Sequence, residues 1–179
     1  MKKIIKIILT LLFIIAIACV ITVAIFFKSK LDKINYENVN REDIEMNEGI
    51  DVNLADYTNI ALLGLDAKDN TFENNRSDCI MIISINNKTK DVNIVSVYRD
   101  TYLQIDGIGL DKATHAYAYG KAPLALSTLN KNLDLNITEY ITINFDSVIK
   151  IVDAVEGVTI DITDQEATQI PGISVGRNI

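Results

Sequence analysis

Several charged side chains stand where apolar runs of this chain stop or start. Asp66 directly follows the run Asn59–Leu65, Arg76-Ser77-Asp78 leads into a run ending at Ile85, and Arg99-Asp100 follows Val92–Val97. Lys112 lies one loop further on. Two carboxylates among two guanidiniums suit a phosphate ester held together with a hard divalent cation. Mg²⁺ takes one or two protein carboxylates and leaves its other positions to phosphate oxygens and water. Arginine grips phosphate through paired N–H bonds and stabilises charge developing on a transferred phosphoryl group. The bland reading of the same residues is a row of rim ion pairs, Arg76 with Asp78 and Arg99 with Asp100, of little energetic worth.

For these groups to act together, the apolar runs must be strands of one sheet with their charged ends at a common edge, where α/β folds place ligands. Asn59–Leu65 is short and apolar. Asp78–Ile85 is almost continuously apolar, as suits a strand covered on both faces. Asn86–Asp91 is turn chemistry and Val92–Val97 is rich in β-branched residues, so the second and third strands read as a hairpin. That pairing puts Asp78 and Arg99 at one edge, and Asp66 joins them if the first strand runs parallel to the third. After an irregular loop, Asp100–Asp111, helices are predicted over Ala113–Tyr119 and Pro123–Leu133, the second with Pro in its first turn. Tyr140–Phe145 reads as a half-buried strand, Asp146 as the cap of a helix Ser147–Val155, and Val158–Ile162 as a further strand. Val148, Ile149, Ile151, Val152 and Val155 follow helical spacing and read as core. The fold class is α/β: a mixed central sheet flanked by helices in an αβα sandwich, preceded by one transmembrane helix.

That helix is predicted over residues 4–27, a stretch apolar except for Lys6, Thr10 and Thr22. As a helix it spans about 36 Å, enough for a hydrocarbon core ~30 Å thick. A cleaved signal peptide would have a shorter apolar core ending in small residues, whereas this run continues through Phe26-Phe27 into Lys28. Residues 1–3 then form a cytoplasmic tail, 28–56 a polar stalk and 57–179 an extracytoplasmic domain. Lysines flank the helix on both sides, so the orientation rests on the length of the downstream chain, since long domains translocate regardless of charge. Of the formal net charge of −7, the first 33 residues carry six Lys and one Asp, leaving 11 basic and 23 acidic residues beyond them. Such acidity argues against nucleic acid as a partner. With Cys19 in the membrane segment, Cys79 stands alone in the domain, so no disulfide forms there. An exported domain folding without disulfides points to a Gram-positive bacterium.

Five stretches, in order, resemble the LytR–CpsA–Psr family of cell-envelope proteins: Asn59–Asp66, Arg76–Met81, Ser96–Asp100, Asp111–Gly120 and Val152–Val158. The likeness runs from Tyr57 to about Gly172. It implies a Mg²⁺-dependent transferase that moves an anionic glycopolymer from a polyprenyl pyrophosphate carrier onto peptidoglycan, forming a phosphodiester bond. Carried across, Asp66 and Asp78 hold Mg²⁺ (or Mn²⁺), while Arg76, Arg99 and Lys112 contact phosphate oxygens. Arg99 is then the essential residue, Asp100 orients it, and Asp66 helps to activate the acceptor hydroxyl. Two departures stand out. Tyr98 occupies a position where the family usually has Pro, which would loosen the approach of Arg99. The family also continues with further strands, helices and arginines, so the domain is expected to be C-terminally incomplete, and Arg177 matches no motif. A truncated, non-catalytic binding or regulatory remnant is the competing reading.

His115, the only histidine, is expected to serve in packing or hydrogen bonding rather than as a base, since no second His or Cys completes a zinc site or nucleophilic pair. Of Tyr117 and Tyr119, two residues apart, one faces inward and the other is free to line an apolar channel. Gly107 and Gly109 are loop glycines without the helix start that a phosphate-binding motif requires.

Overall fold

The computed structural model describes residues 2–31, 39–67 and 75–170. It divides into an N-terminal unit ending at Asn38 and a second unit beginning at Val39. The first is one helix, α1 (Lys2–Leu31). Within it, Leu11–Ser29 is long and apolar enough to cross a membrane. Apolar side chains project on all sides, with Phe13, Val20 and Phe27 all exposed, as for a helix meant to be surrounded by lipid. The hydroxyl of Thr22 donates back to the carbonyl of Ala18 at 2.7 Å, so this polar group needs no outside partner.

The second unit is a mixed α/β domain. Strands β1 (Tyr57–Leu65), β2 (Ser77–Asn86) and β3 (Val92–Val97) form an antiparallel meander. Strand β6 (Glu139–Ile143) adds parallel to β1, giving the order β3-β2-β1-β6. Since β1 and β3 both run opposite to β2, the ends of β1 and β3 and the start of β2 share one edge, as the sequence requires. Alternation decides which side chains face the core. Ala61, Leu63 and Leu65 of β1 and Ile80 and Ile82 of β2 are buried on one face. Against that face packs α3 (Ala113–Leu133) through Ala116, Tyr117, Leu126 and Leu129. Each fully buried Leu contributes roughly 1.5–3 kcal/mol. Gly120 and Lys121 leave helical geometry, so α3 is the two predicted helices joined by a break, with Pro123 opening the second. Gly120 is required there, because a Cβ would sit 2.5 Å from that of Leu124.

The loop expected over Asp100–Asp111 is instead a hairpin of β4 (Tyr102–Ile105) and β5 (Gly109–Lys112), turning at Asp106-Gly107 and burying Leu103 and Ile105. The folded unit begins at Val39 and not near Tyr57. Residues 39–56 are not a free stalk: Ile44 enters the core, and Glu45 N–H donates to Ser127 Oγ at 2.8 Å. Asn47 donates to the carbonyl of Lys131, whose ammonium also pairs with Glu45 and Asp106. A single turn, α2 (Ile50–Asn53), leads into β1. The remainder of the expected stalk that falls in residues 32–38, and the tail from 171 on with Arg177, lie outside the described residues.

Helix α4 (Phe145–Ala154) is capped by Asn144, not by Asp146: the Asn144 carboxamide oxygen accepts from Ser147 N–H at 2.9 Å. Its apolar stripe, expected in the core, is not buried, because no described element covers it. Val158–Ile162 is extended coil and not a strand, since it pairs with none of the strands described. A last turn, α5 (Asp164–Ala167), carries a capping box between Thr163 and Glu166.

Candidate functional site

The site grows from the shared edge of β1, β2 and β3. A bulge between Gly64 and Leu65 shifts the register of the β1–β2 ladder, whose last pair is Leu65–Ser77, and beyond it the N–H of Asp66 donates to the carbonyl of Arg76 at 3.2 Å. Asp66 and Arg76 are therefore neighbours across the strand ends, both exposed. Among the described residues the Asp66 carboxylate has no hydrogen-bond or ion-pair partner. At the start of β2, Asp78 Oδ1 lies 3.0 Å from Arg99 Nη1. Arg99 Nε is 3.7 Å from Asp100 Oδ2, and Asp100 Oδ1 is 2.6 Å from Lys112 Nζ. The result is an alternating ladder, Asp78–Arg99–Asp100–Lys112, running from the sheet to the base of α3. Of the rim pairs in the bland reading, Arg99–Asp100 is present, while no Arg76–Asp78 pair forms among the described residues. Arg99 pairs more closely with Asp78 on the neighbouring strand than with Asp100, and Asp100 is held by Lys112. That bond to Lys112 lowers the pKa of the Asp100 carboxyl below its ordinary value, and the nearby charges of Lys112 and Arg99 act in the same direction.

The backbone under Arg99 is fixed without proline. Thr101 N–H donates to the carbonyl of Tyr98 at 2.9 Å, closing a turn with Arg99 and Asp100 at its centre. Helix α3 has no side-chain cap at Lys112. Its first N–H groups go instead to this turn, Ala113 to the carbonyl of Thr101 at 2.8 Å and Thr114 to that of Arg99 at 3.0 Å. The expected loosening at Tyr98 is therefore offset by the helix start.

Sequence reading passed over three features beside the ladder. Asp111 is a hub: its Oδ1 accepts from Lys112 N–H at 2.8 Å, and its Oδ2 lies 2.9 Å from both His115 Nδ1 and the Tyr119 hydroxyl. These bonds, that to His115 foremost, lower the Asp111 pKa to about 2, while Asp111 raises that of Tyr119. His115 is thus a hydrogen-bonding residue, as expected; Tyr117 is buried and Tyr119 faces out to Asp111. The second and third features are the hydroxyls of Ser77 and Thr114, both buried and, among the described residues, without a hydrogen-bond partner. Ser77 precedes Asp78, and Thr114 bonds the backbone of Arg99. Orphan hydroxyls of this kind are rare in folded proteins, and each calls for an explanation such as a functional role.

Residues 21–177 match the LytR_cpsA_psr family. The chain belongs to the LytR–CpsA–Psr family. Among its relatives, a protein from Bacillus cereus (strain AH820) named polyisoprenyl-teichoic acid–peptidoglycan teichoic acid transferase TagU is 39% identical over 136 residues, covering 75% of this chain and 44% of the relative. The protein of the same name from Bacillus licheniformis is 32% identical over 143 residues, 79% of this chain and 45% of its own. Among solved structures, TagT with bound octaprenyl pyrophosphate lipid superposes with a TM-score of 0.55 at 27% identity, over 75% of this chain and 48% of that one. Bacillus subtilis TagT gives a TM-score of 0.54 at 31% identity, over 70% of this chain and 46% of that one. This LytR–CpsA–Psr chain spans less than half the length of these relatives.

The donor set fits a hard cation shared with a ligand. Among the described residues no group of three or more His, Cys, Asp and Glu side chains gathers to hold a metal alone. Asp66 and Asp78 supply two carboxylates, the number that Mg²⁺ takes when phosphate and water complete its shell. Asp66, Asp78 and Asp100 balance Arg76, Arg99 and Lys112 in formal charge.

Proposed function

We propose that this chain takes part in transfer of an anionic glycopolymer from a polyprenyl pyrophosphate carrier to peptidoglycan, at the outer face of a Gram-positive cell membrane. The observation that carries the reading is the ladder Asp78–Arg99–Asp100–Lys112 beside an unpaired Asp66, on a fold shared with relatives named as teichoic acid transferases. Helix α1, with its N-terminus inside, tethers the domain to the membrane in which a lipid-linked donor is dissolved.

Asp66 and Asp78 hold Mg²⁺, which supplies charge neutralisation at the pyrophosphate. Arg76, Arg99 and Lys112 bind phosphate oxygens. Arg99 keeps most of its five-donor fork for them while Asp78 and Asp100 set its orientation. In the transfer, the acceptor sugar hydroxyl attacks the sugar-side phosphorus. A new P–O bond forms, the P–O bond to the lipid phosphate breaks, and the hydroxyl proton passes to Asp66. Catalysis rests on positioning and charge stabilisation, without a covalent intermediate.

The test is calorimetric titration of the full chain in nanodiscs with octaprenyl pyrophosphate, with and without Mg²⁺. We expect tight binding only with the cation, and its loss in Asp66→Asn and Asp78→Asn. Cation-independent binding that both variants retain refutes the site.

A further inference from the structure

Lys112 is the far cation of the ladder, and a flexible four-carbon stem separates its ammonium from the backbone. About half of that side chain is exposed, so packing alone does not hold it against Asp100. Its backbone is the junction of β5 and α3, where the helix has no side-chain cap. Asp111 supports this junction. Its Oδ1 takes the Lys112 N–H at 2.8 Å, and its Oδ2 meets His115 Nδ1 and the Tyr119 hydroxyl, each at 2.9 Å, from the first two turns of α3. The His115 and Tyr119 rings also meet edge to face, with centroids 5.9 Å apart. One carboxylate thus ties the strand end, the helix start and the Lys112 backbone together. With its pKa held at about 2, Asp111 is ionised throughout the neutral range, and its bonds are charge-assisted.

Strand alternation gives the two neighbours different tasks. Asp111 pairs with the buried Leu103 and turns towards α3, whereas Lys112 pairs with the exposed Tyr102 and turns outward to Asp100. Asp111 therefore does not compete with Asp100 for the ammonium, and a carboxylate facing a phosphate would repel it. We infer that Asp111 is a positioning residue: braced by His115 and Tyr119, it fixes the Lys112 backbone so that the ammonium and the Arg99 guanidinium form a phosphate clamp of set spacing. The inference rests on the phosphate-binding role proposed above for Arg99 and Lys112. His115 and Tyr119 act one bond further back, as supports of Asp111. A clamp whose spacing is held by the fold loses less freedom when the ligand arrives, and so binds more tightly.

The experiment uses the full chain in nanodiscs, with two readouts. Calorimetry follows Mg²⁺-dependent binding of octaprenyl pyrophosphate, and brief acetylation read by mass spectrometry follows single lysines without ligand. Asp111→Ala should weaken binding roughly tenfold in the parent background and leave it unchanged in a Lys112→Met background. It should also speed acetylation of Lys112 severalfold, while Lys131, paired with Glu45 and Asp106, keeps its rate. His115→Ala should reproduce both effects more weakly. His115→Asn, which keeps a nitrogen donor near the Nδ1 position, should restore them. General loosening of the fold would instead speed Lys131 and weaken binding in both backgrounds; if Asp111→Ala does so, the two His115 variants decide. Equal weakening in both backgrounds by variants that spare Lys131, or a Lys112 that reacts as in the parent, overturns the inference. A parent chain that binds no pyrophosphate sinks the site reading instead, and the Lys112 rate then decides this inference by itself.

Discussion

Gly64 faces Cys79 across the β1–β2 ladder, one residue before the bulge that sets Asp66 beside Arg76. A Cβ built on Gly64 would lie 2.8 Å from the Cβ of Cys79, whereas ordinary contact begins at 3.4 Å. Both atoms are fixed to backbone, so no rotamer change relieves the overlap, and Gly64→Ala must part the strands by about 0.6 Å. Overpacking of this kind costs roughly 1–3 kcal/mol, a fall in Tm of about 3–10 °C for a domain of this size. The displacement falls between the two proposed metal carboxylates, so cation-dependent binding of a pyrophosphate should weaken roughly tenfold or more. Cys79→Gly removes the opposing Cβ. The double variant should therefore recover what Gly64→Ala loses relative to its own Cys79→Gly background. Urea denaturation and titration calorimetry on the four proteins give this cycle directly. A Gly64→Ala chain as stable as its parent, or strictly additive effects in the double variant, would show that close approach of these strands does not set the site.

Arg99→Ala should reduce polymer transfer by at least about a hundredfold. Thermal denaturation should barely change, because the Arg99–Asp78 pair is half-exposed and worth about 0–1 kcal/mol; a large stability loss would assign Arg99 a structural role. Asn130→Ala should destabilise by about 3 kcal/mol in urea. It strips the buried N–H and C=O of Ile137 of partners at 2.8 and 2.9 Å, and a loss under about 1 kcal/mol would contradict that. Asp111 has a folded pKa of about 2 against an ordinary 3.8, so its stabilisation is complete above the ordinary value and lost as pH falls towards 2. Asp111→Asn should accordingly be less stable at neutral pH and show a flatter stability profile between about pH 4 and pH 2 by circular dichroism; an unchanged acid slope would count against it.

The edge that gathers the charged residues was legible because it follows from alternation and turn chemistry. Val92–Val97 has the boundaries the sequence implied, and the Asn86–Asp91 turn makes the hairpin that places Asp78 beside Arg99. Hidden features were those set by partners distant in sequence. The β4–β5 hairpin has strands of four residues each, too short for a period to declare itself, although Asp106-Gly107 was a hairpin signal in plain view. Residues 39–56 pack through Ile44 and polar bonds to α3, which leave no periodic trace. Val158–Ile162 shows the opposite failure, since its alternation is right for a strand but a strand also needs a neighbour. At the site, the hairpin predicted Asp78 at the edge of Arg99, and the structure pairs them more closely than the sequence neighbours Arg99 and Asp100.

The bonds from Ala113 and Thr114 to the carbonyls of Thr101 and Arg99 close loops of only about 12 and 15 residues. Short loops close early in folding, before distant strands have found one another. The Arg99 turn, the β4–β5 hairpin and α3 therefore assemble as one local unit. Asp78 joins Arg99 through the equally local β2–β3 hairpin, and Asp66 arrives only when β1 registers with β2 across the intervening chain. Arg99, Lys112 and Asp78 are set first and Asp66 last, an order that pulse-labelled exchange would record as early protection of Thr114 and later protection across β1.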